Sequence, residues 1–565
     1  MSTSVLTQNP SWYQTYPEGI PEVPVLSRRS VHRMLSDSAV RWPERDALHF
    51  MGWKASYQEL DHLVSRAASG FQALGVGPGV HVGLYLPNTP HGIISFMAVL
   101  RAGGVVVNYS PLDAERILEH KINDSETDLM VTLDQKSLLP QMSRLMGQTR
   151  LKSLIVGSLE DFSAEPEKVQ AQQIAAGDTV ERPEFSSSII SFKSLIDNEG
   201  NVELHPDAEA PDALAVLQYT GGTTGAPKGA MLTHRSLSSA ADQLANALGT
   251  TLNEGQERTL AVLPPFHIYA ITVNMLVGFR LGSTLYQQLR FEPEQVLRTI
   301  EQEQITIFPA VPTMLSALLA NPELERYNLT SLKLCNSGGA PLPVELQQRF
   351  IRAAGCSVKE GWGMTETTSV GTFMPEGLKP PAGCCGLPVP GTDLCIVSMD
   401  NEERRLPPGE QGELCIRGPN MMKGYWKRED ATAESMTREG YFRSGDVAFM
   451  DEAGFLYIVD RTKDMIICSG YNVYPRNIEE AIYEHPAIAE VSVIGVPDEY
   501  RGQSPRAYIT IREGQTAPTL EELQAFLKSR LGKHEMIHGL EVREELPKTP
   551  VGKLSKKELY AEVGR

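Results

Sequence analysis

The chain has 565 residues, 41% hydrophobic and 22% charged, which is too long for one ordinary core and too apolar for a disordered chain, so two or more domains are expected. Fifty-two Lys and Arg against 70 Asp and Glu give a formal net charge of −18. That excludes a general binder of nucleic acid or anionic membrane, and any anionic substrate must be met by locally placed cations.

The N-terminal MSTSVLTQNPSWYQTYPEG has no basic segment followed by an apolar run, so no secretory signal is expected. Short β-rich runs follow at Val80–Leu86, Val105–Asn108, Leu129–Leu133, Leu214–Tyr219, Leu260–Leu263, Ile305–Phe308 and Leu332–Cys335. Helical patterns alternate with them at Tyr57–Leu74, Ser236–Leu248, Pro293–Gln302 and Val344–Ala353. Such alternation predicts an α/β domain of mostly parallel sheets. The longest apolar stretch, Gly92–Val107, is broken by Arg101 and Gly103-Gly104 and reads as helix, turn and buried strand, not as a membrane span. Glu160–Asp207 is polar and weakly periodic and reads as a surface excursion.

From about 383 to 459 the texture becomes short β runs among Pro/Gly turns, as expected of a small barrel-like β subdomain. Beyond Asp460 come strands at Val491–Val496 and Ala507–Ile511. The capping box Thr519-Leu520-Glu521-Glu522 opens a helix carrying Leu523, Leu527 and Leu531. The expected architecture is a large N-terminal α/β domain (1–460) with its β-rich subdomain, and a small mobile α+β C-terminal domain (461–565).

The seven cysteines form no CxxC, and the twelve histidines form no HExxH and no zinc-spaced cluster. Together with the absence of a targeting signal this gives a cytoplasmic expectation. It leaves peripheral membrane contact open and specifies no oligomeric state.

Leu217-Gln218-Tyr219-Thr220-Gly221-Gly222-Thr223-Thr224-Gly225-Ala226-Pro227-Lys228-Gly229 carries the most chemistry. A buried strand runs into glycines and threonines and then a lysine, with a helix expected to open near Thr233. Glycines let the backbone N–H groups approach a phosphate, threonine hydroxyls add donors or a metal contact, and the lysine adds charge. It is not a Walker A loop, because Lys228 stands between Pro227 and Gly229.

This segment resembles the signature loop of the ANL superfamily: acyl-CoA synthetases, adenylation domains of peptide synthetases, and luciferases. Further segments match that family in order along the chain: Asn336-Ser337-Gly338-Gly339-Ala340-Pro341-Leu342, Gly361-Trp362-Gly363-Met364-Thr365-Glu366-Thr367 (with Trp362 in place of the usual tyrosine), Tyr441-Phe442-Arg443-Ser444-Gly445-Asp446, Asp460-Arg461-Thr462-Lys463-Asp464 through Gly470-Tyr471-Asn472-Val473-Tyr474-Pro475, and Pro547-Lys548-Thr549-Pro550-Val551-Gly552-Lys553. The resemblance implies two half-reactions: a carboxylate attacks the α-phosphate of ATP to give acyl-adenylate and pyrophosphate, and a thiol, usually of coenzyme A, then displaces AMP.

On that resemblance Lys553 bridges carboxylate and α-phosphate. Glu366 coordinates Mg²⁺ with Thr220, Asp446 and Arg461 hold the ribose, and Trp362 stacks on adenine. His267 and Ile268 stand beside the acyl pocket, and Gly338-Gly339 leave a side-chain-free wall for a long chain. Lys463 is the hinge, and Gly470 lines the coenzyme A tunnel after the small domain rotates.

Twelve residues follow Lys553, so a fused carrier domain is not expected. Within the family the texture is most similar to bacterial medium- or long-chain fatty-acid–CoA ligases, through strings such as Met421-Met422-Lys423-Gly424-Tyr425-Trp426. The expectation is therefore an AMP-forming acyl-CoA synthetase using ATP, Mg²⁺ and coenzyme A. The alternatives are a fatty acyl-AMP ligase or other adenylate-forming enzyme that serves a separate carrier, with dicarboxylic and aryl acids as alternative substrates. A lysine acyltransferase acting on Lys553 is the one protein partner the resemblance suggests.

Overall fold

All five residues of the strand Val105–Tyr109 are buried, which is the pattern of a parallel strand covered by helices on both faces. The helix before it, Pro90–Arg101, begins with Pro at its first turn and is buried on every side. Even its Arg101 lies inside, held by the Ser65 and Ser36 hydroxyls at 2.7 and 2.8 Å and paired to Asp61. The helix Tyr57–Ala73 starts at a capping box between Ser56 and Glu59 and buries a stripe of Tyr57, Leu60, Val64, Ala67 and Phe71.

The computed structural model describes residues 11–26, 29–178, 183–206, 208–220, 227–248, 251–375, 377–378, 381–468, 471–498, 500–549 and 552–564. Two seven-stranded sheets make up the large N-terminal part. One runs, in spatial order, Ile189–Ser191, Ser153–Gly157, Thr127–Leu133, His81–Tyr85, Val105–Tyr109, Leu214–Thr220 and Lys228–Thr233. The other runs Val358–Glu360, Leu334–Ser337, Ile307–Ala310, Arg258–Ala261, Thr284–Gln287, Asp46–Phe50 and Trp53–Ser56. In each, the pairs are parallel except the last, an antiparallel edge. A four-stranded antiparallel sheet follows, Asp393–Val397, Gly412–Arg417, Phe442–Met450 and Leu456–Arg461. The small C-terminal part has a five-stranded sheet built on the long pair Ile488–Asp498 and Gly502–Ile511, with its own core of Ile466, Val473, Ile478, Val491, Ile509 and Leu523.

Three differences from the sequence expectation have physical causes. The segment after the glycine-rich loop holds an unexpected strand, Lys228–Thr233, paired antiparallel with Leu214–Thr220, while the helix His234–Leu248 opens next to Thr233 as expected. Gly229, Ala230, Leu232 and Thr233 of this strand are buried, and only Lys228 is exposed. The polar excursion contributes an edge strand, Ile189–Ser191, and buried Phe162 and Phe192, which clamp His91. The C-terminal amphipathic helix stops at Leu527, so Leu531 packs from outside it.

Candidate active site

The ends of the two large sheets, the antiparallel sheet and the C-terminal part enclose one large cavity of about 1990 Å³. Its lining collects the described candidates from six stretches of chain: Thr220 and Lys228; His267 and Ile268; Gly338, Gly339, Ala340 and Pro341; Gly361, Trp362, Gly363, Met364, Thr365 and Glu366; Asp446, Arg461 and Lys463; and Lys553. Gly221, Gly222, Thr223, Thr224, Gly225 and Gly470 lie outside the described residues.

Glu366 sits on the short turn Thr365–Thr367, and Thr368 and Ser369 follow it with φ of 52° and 75°. Two consecutive non-glycine residues in the left-handed region store strain. Thr272 and Asn420 hold the turn through hydrogen bonds to the Thr368 and Thr367 carbonyls at 3.1 and 2.9 Å. The Glu366 carboxyl is buried, and burial raises its pKa, against a hydrogen bond that the Tyr425 hydroxyl donates at 2.7 Å. Tyr425 also puts its ring 5.0 Å from the Lys228 ammonium. It belongs to a segment that pairs with Lys228–Thr233, since the Met231 and Trp426 amides donate to the Gly424 and Gly229 carbonyls at 2.9 and 2.8 Å.

Asp446 is 3% exposed and faces Arg461 directly across the antiparallel ladder. Its Oδ1 pairs with Arg461 Nε at 2.9 Å, and its Oδ2 accepts from Trp362 Nε1 at 2.8 Å. The Trp362 ring packs against Gly371, where a Cβ would come within 2.4 Å of it. Tryptophan thus supplies a donor for this carboxylate as well as an aromatic face.

Lys553 enters from the C-terminal part beside Gly339. A Cβ at Gly339 would meet Lys553 Cε at 2.6 Å, and its φ of +81° also demands glycine. Burial, and secondarily the Arg461 charge, push the Lys553 pKa down to about 8. Burial likewise lowers Lys463, with Arg461 the next cause. His267 has its pKa lowered to about 3 by burial and then by Lys553, so it is neutral. Its Nδ1 accepts the Tyr269 amide at 3.1 Å, leaving the proton on Nε2.

The side-chain-free wall at Gly338-Gly339 is not open. The Tyr269 ring fills the space at Gly338, where a Cβ would meet it at 2.8 Å, and Lys553 fills that at Gly339. The apolar space lies elsewhere. After Tyr269 the chain makes a π-helical run, Ala270–Leu276, continued by Val277–Leu281. The cavity reaches between this run and the helix His234–Leu248, where Leu244, Leu248, Val273, Val277 and Leu281 line it. A wide-turn helix at such a place is common at functional sites. A separate apolar cavity of about 50 Å³ lies behind Phe266, among Phe96, Leu263, Ile271 and Met275.

Sequence reasoning missed Tyr425, Tyr269 and the Trp362 donor. Tyr425 stands within a string quoted only for its texture, and its contact with Glu366 spans 59 residues.

A cavity with room for a nucleotide and an apolar arm besides, lined by buried carboxylates and an inserted lysine, is the layout of an adenylate-forming enzyme. The AMP-binding enzyme family model matches residues 35–426, and the AMP-binding enzyme C-terminal domain model matches 477–553. The chain belongs to the AMP-binding enzyme family. It is 38% identical over 559 residues to a long-chain-fatty-acid–CoA ligase of Bacillus subtilis (strain 168), covering 98% of each chain. ATP-bound MatB from Rhodopseudomonas palustris superposes with a TM-score of 0.80 at 26% identity, over 94% of this chain and 98% of that one. The anthranilate CoA ligase AuaEII in complex with anthranoyl-AMP shares the fold, with a TM-score of 0.84 at 22% identity over 96% and 98% of the two chains.

Proposed function

We propose that the protein is an AMP-forming fatty acid–CoA ligase for medium- or long-chain acids. The observation that carries the acid is the apolar arm between His234–Leu248 and Ala270–Leu281. Val273 to Leu281 spans on the order of 10 Å of helix. That suits an unbranched hydrocarbon chain, and its Leu and Val walls offer no partner to a distal carboxylate.

In this reading the Thr220–Lys228 segment cradles the pyrophosphate end of ATP, and Trp362 offers its open face to adenine. Asp446, oriented by Trp362 and Arg461, accepts from the ribose hydroxyls. Lys553 brings its ammonium between carboxylate and α-phosphate and stabilises charge as the acyl-adenylate forms. Neutral His267, with its proton on Nε2, presents a donor rather than a second cation near the acyl carboxylate.

Glu366 fits a magnesium ion, because its raised pKa marks a buried carboxylate short of positive compensation. Thr220 would stand with it. Among the described residues no group of three or more His, Cys, Asp or Glu forms a metal cage, so the ion would take its other ligands from phosphate and water. When bound it would neutralise phosphate charge.

We place the domain boundary at Asp460–Arg461, with Lys463 as the hinge that lets the 461–565 unit turn and present Gly470 to coenzyme A. Acylation of Lys553 by a lysine acyltransferase would silence the first half-reaction by removing its charge. Among the described residues no helix is long and apolar enough to cross a membrane. Cytoplasmic placement belongs to the same proposal.

The test is a screen of saturated acids of graded length, with aryl and dicarboxylic acids alongside, reading pyrophosphate release and acyl-CoA mass with ATP, magnesium and coenzyme A. Maximal kcat/KM on medium or long chains is expected. Pyrophosphate release without any acyl-CoA, or a clear preference for aryl or dicarboxylic acids, would overturn the proposal.

A further inference from the structure

The lysine of the small domain has to be held in place by something in the large one, and the residue that does so lies far from every motif. Thr549 holds the approach to Lys553: the Gly552 amide donates to the Thr549 carbonyl at 2.8 Å, and the Lys553 amide donates to Thr549 Oγ1 at 3.2 Å. Gly552 has φ +79°, in the left-handed region that favours glycine. Its carbonyl accepts a hydrogen bond from the Thr313 hydroxyl at 2.7 Å. Thr313 belongs to the large domain, in the first turn of the helix Pro312–Leu319, whose Pro312, Met314, Leu315 and Leu318 are buried. The donor therefore stands on a fixed element. On the other side, Lys556 anchors the loop within its own domain through Glu479 at 3.0 Å.

We propose that Thr313 is a positioning residue that latches the Lys553 loop into the adenylating arrangement and is released when the small domain turns. The inference rests on the role proposed for Lys553. The bond spans 239 residues, and Thr313 also lines the cavity. The bond is made with Lys553 inserted, and a turn of the small domain that withdraws Lys553 would carry the adjoining Gly552 carbonyl away with it, so the bond favours the first half-reaction and adds nothing to the second. A single neutral hydrogen bond of this kind is worth a factor of about 3 to 10 in the population of the latched state.

The test uses the full-length enzyme with Thr313→Val, which keeps the shape and removes the donor, and Thr313→Ser, which keeps the donor. Two readouts are taken on each preparation: ATP–pyrophosphate exchange with a fatty acid, and conversion of supplied acyl-AMP and coenzyme A to acyl-CoA. Thr313→Val should lose about 3- to 10-fold in exchange, chiefly in kcat, and keep the second half-reaction within about 2-fold. Thr313→Ser should restore exchange. Equal losses in both half-reactions, exchange at the wild-type level, or a Ser variant as slow as the Val variant would each overturn the proposal. Lys553→Ala is run in parallel: if it retains exchange, the reading of Lys553 fails, and that outcome is distinct from any result at Thr313.

Discussion

In the role proposed for Lys553, a cation with a pKa of about 8 makes the first half-reaction sensitive to alkaline pH. In the free enzyme burial is the larger cause of the lowered Lys553 pKa, and the Arg461 charge is the second. Simple titration about that value leaves about 90% of the ammonium at pH 7, about half at pH 8 and about 10% at pH 9. The active form is the protonated one, so activity is lost as pH rises through the pKa. In ATP–pyrophosphate exchange at saturating fatty acid, kcat/KM for ATP, which reports free-enzyme ionisations, should fall about 10-fold from pH 7 to pH 9. An ordinary lysine would leave this range flat. Lys553→Arg keeps a cation that does not titrate here, so its lower activity should show no such limb. Conversion of supplied acyl-AMP should not fall over the same range. A flat wild-type profile up to pH 9.5, or the same limb in Lys553→Arg, would refute the reasoning.

Two further substitutions probe the same cavity. Gly339→Ala puts a Cβ where Lys553 Cε lies at 2.6 Å and strains a φ of +81°. Exchange should drop more than about 10-fold while supplied acyl-AMP is still converted, and comparable loss in both assays would show a collapsed site instead. Trp362→Phe keeps an aromatic face and removes the donor to Asp446. The KM for ATP should rise about 3- to 10-fold with kcat little changed, and an unchanged KM with a lowered melting temperature would make that bond purely structural.

Much of the architecture was legible because it depends on local pattern. Two-sided burial writes the strand Val105–Tyr109 with three successive valines, Val105 to Val107, and Thr519 and Glu522 announce the helix they cap. The helix Pro293–Gln302 falls at its expected bounds, since Pro sits in its first turn and Val296, Leu297 and Ile300 mark one face. The motif stretches likewise converge, so far as they are described, on one cavity. Less legible was anything decided by a distant neighbour. Gly338 reads as an open wall until the Tyr269 ring is seen against it. The strand Lys228–Thr233 follows from pairing with Leu214–Thr220 and with the 424–426 segment, which no local propensity encodes. Thr313, Tyr269 and Tyr425 carry no signal of their own, because a Thr at the start of a helix and a Tyr in an apolar string are ordinary in any sequence.

The rung formed by Asp446 and Arg461 joins two jobs usually kept apart in a jointed object. Arg461 ends the strand Leu456–Arg461 of the antiparallel sheet, and the first strand of the small sheet begins at Ile466. In the proposed reading, the axle about which the small domain swings is bolted to the carboxylate that grips the sugar. The nucleotide then sits on the stationary side of the bearing. Lys553 can swing away while the adenylate stays seated, so a reactive mixed anhydride need never be released to water between its formation and its capture by a thiol.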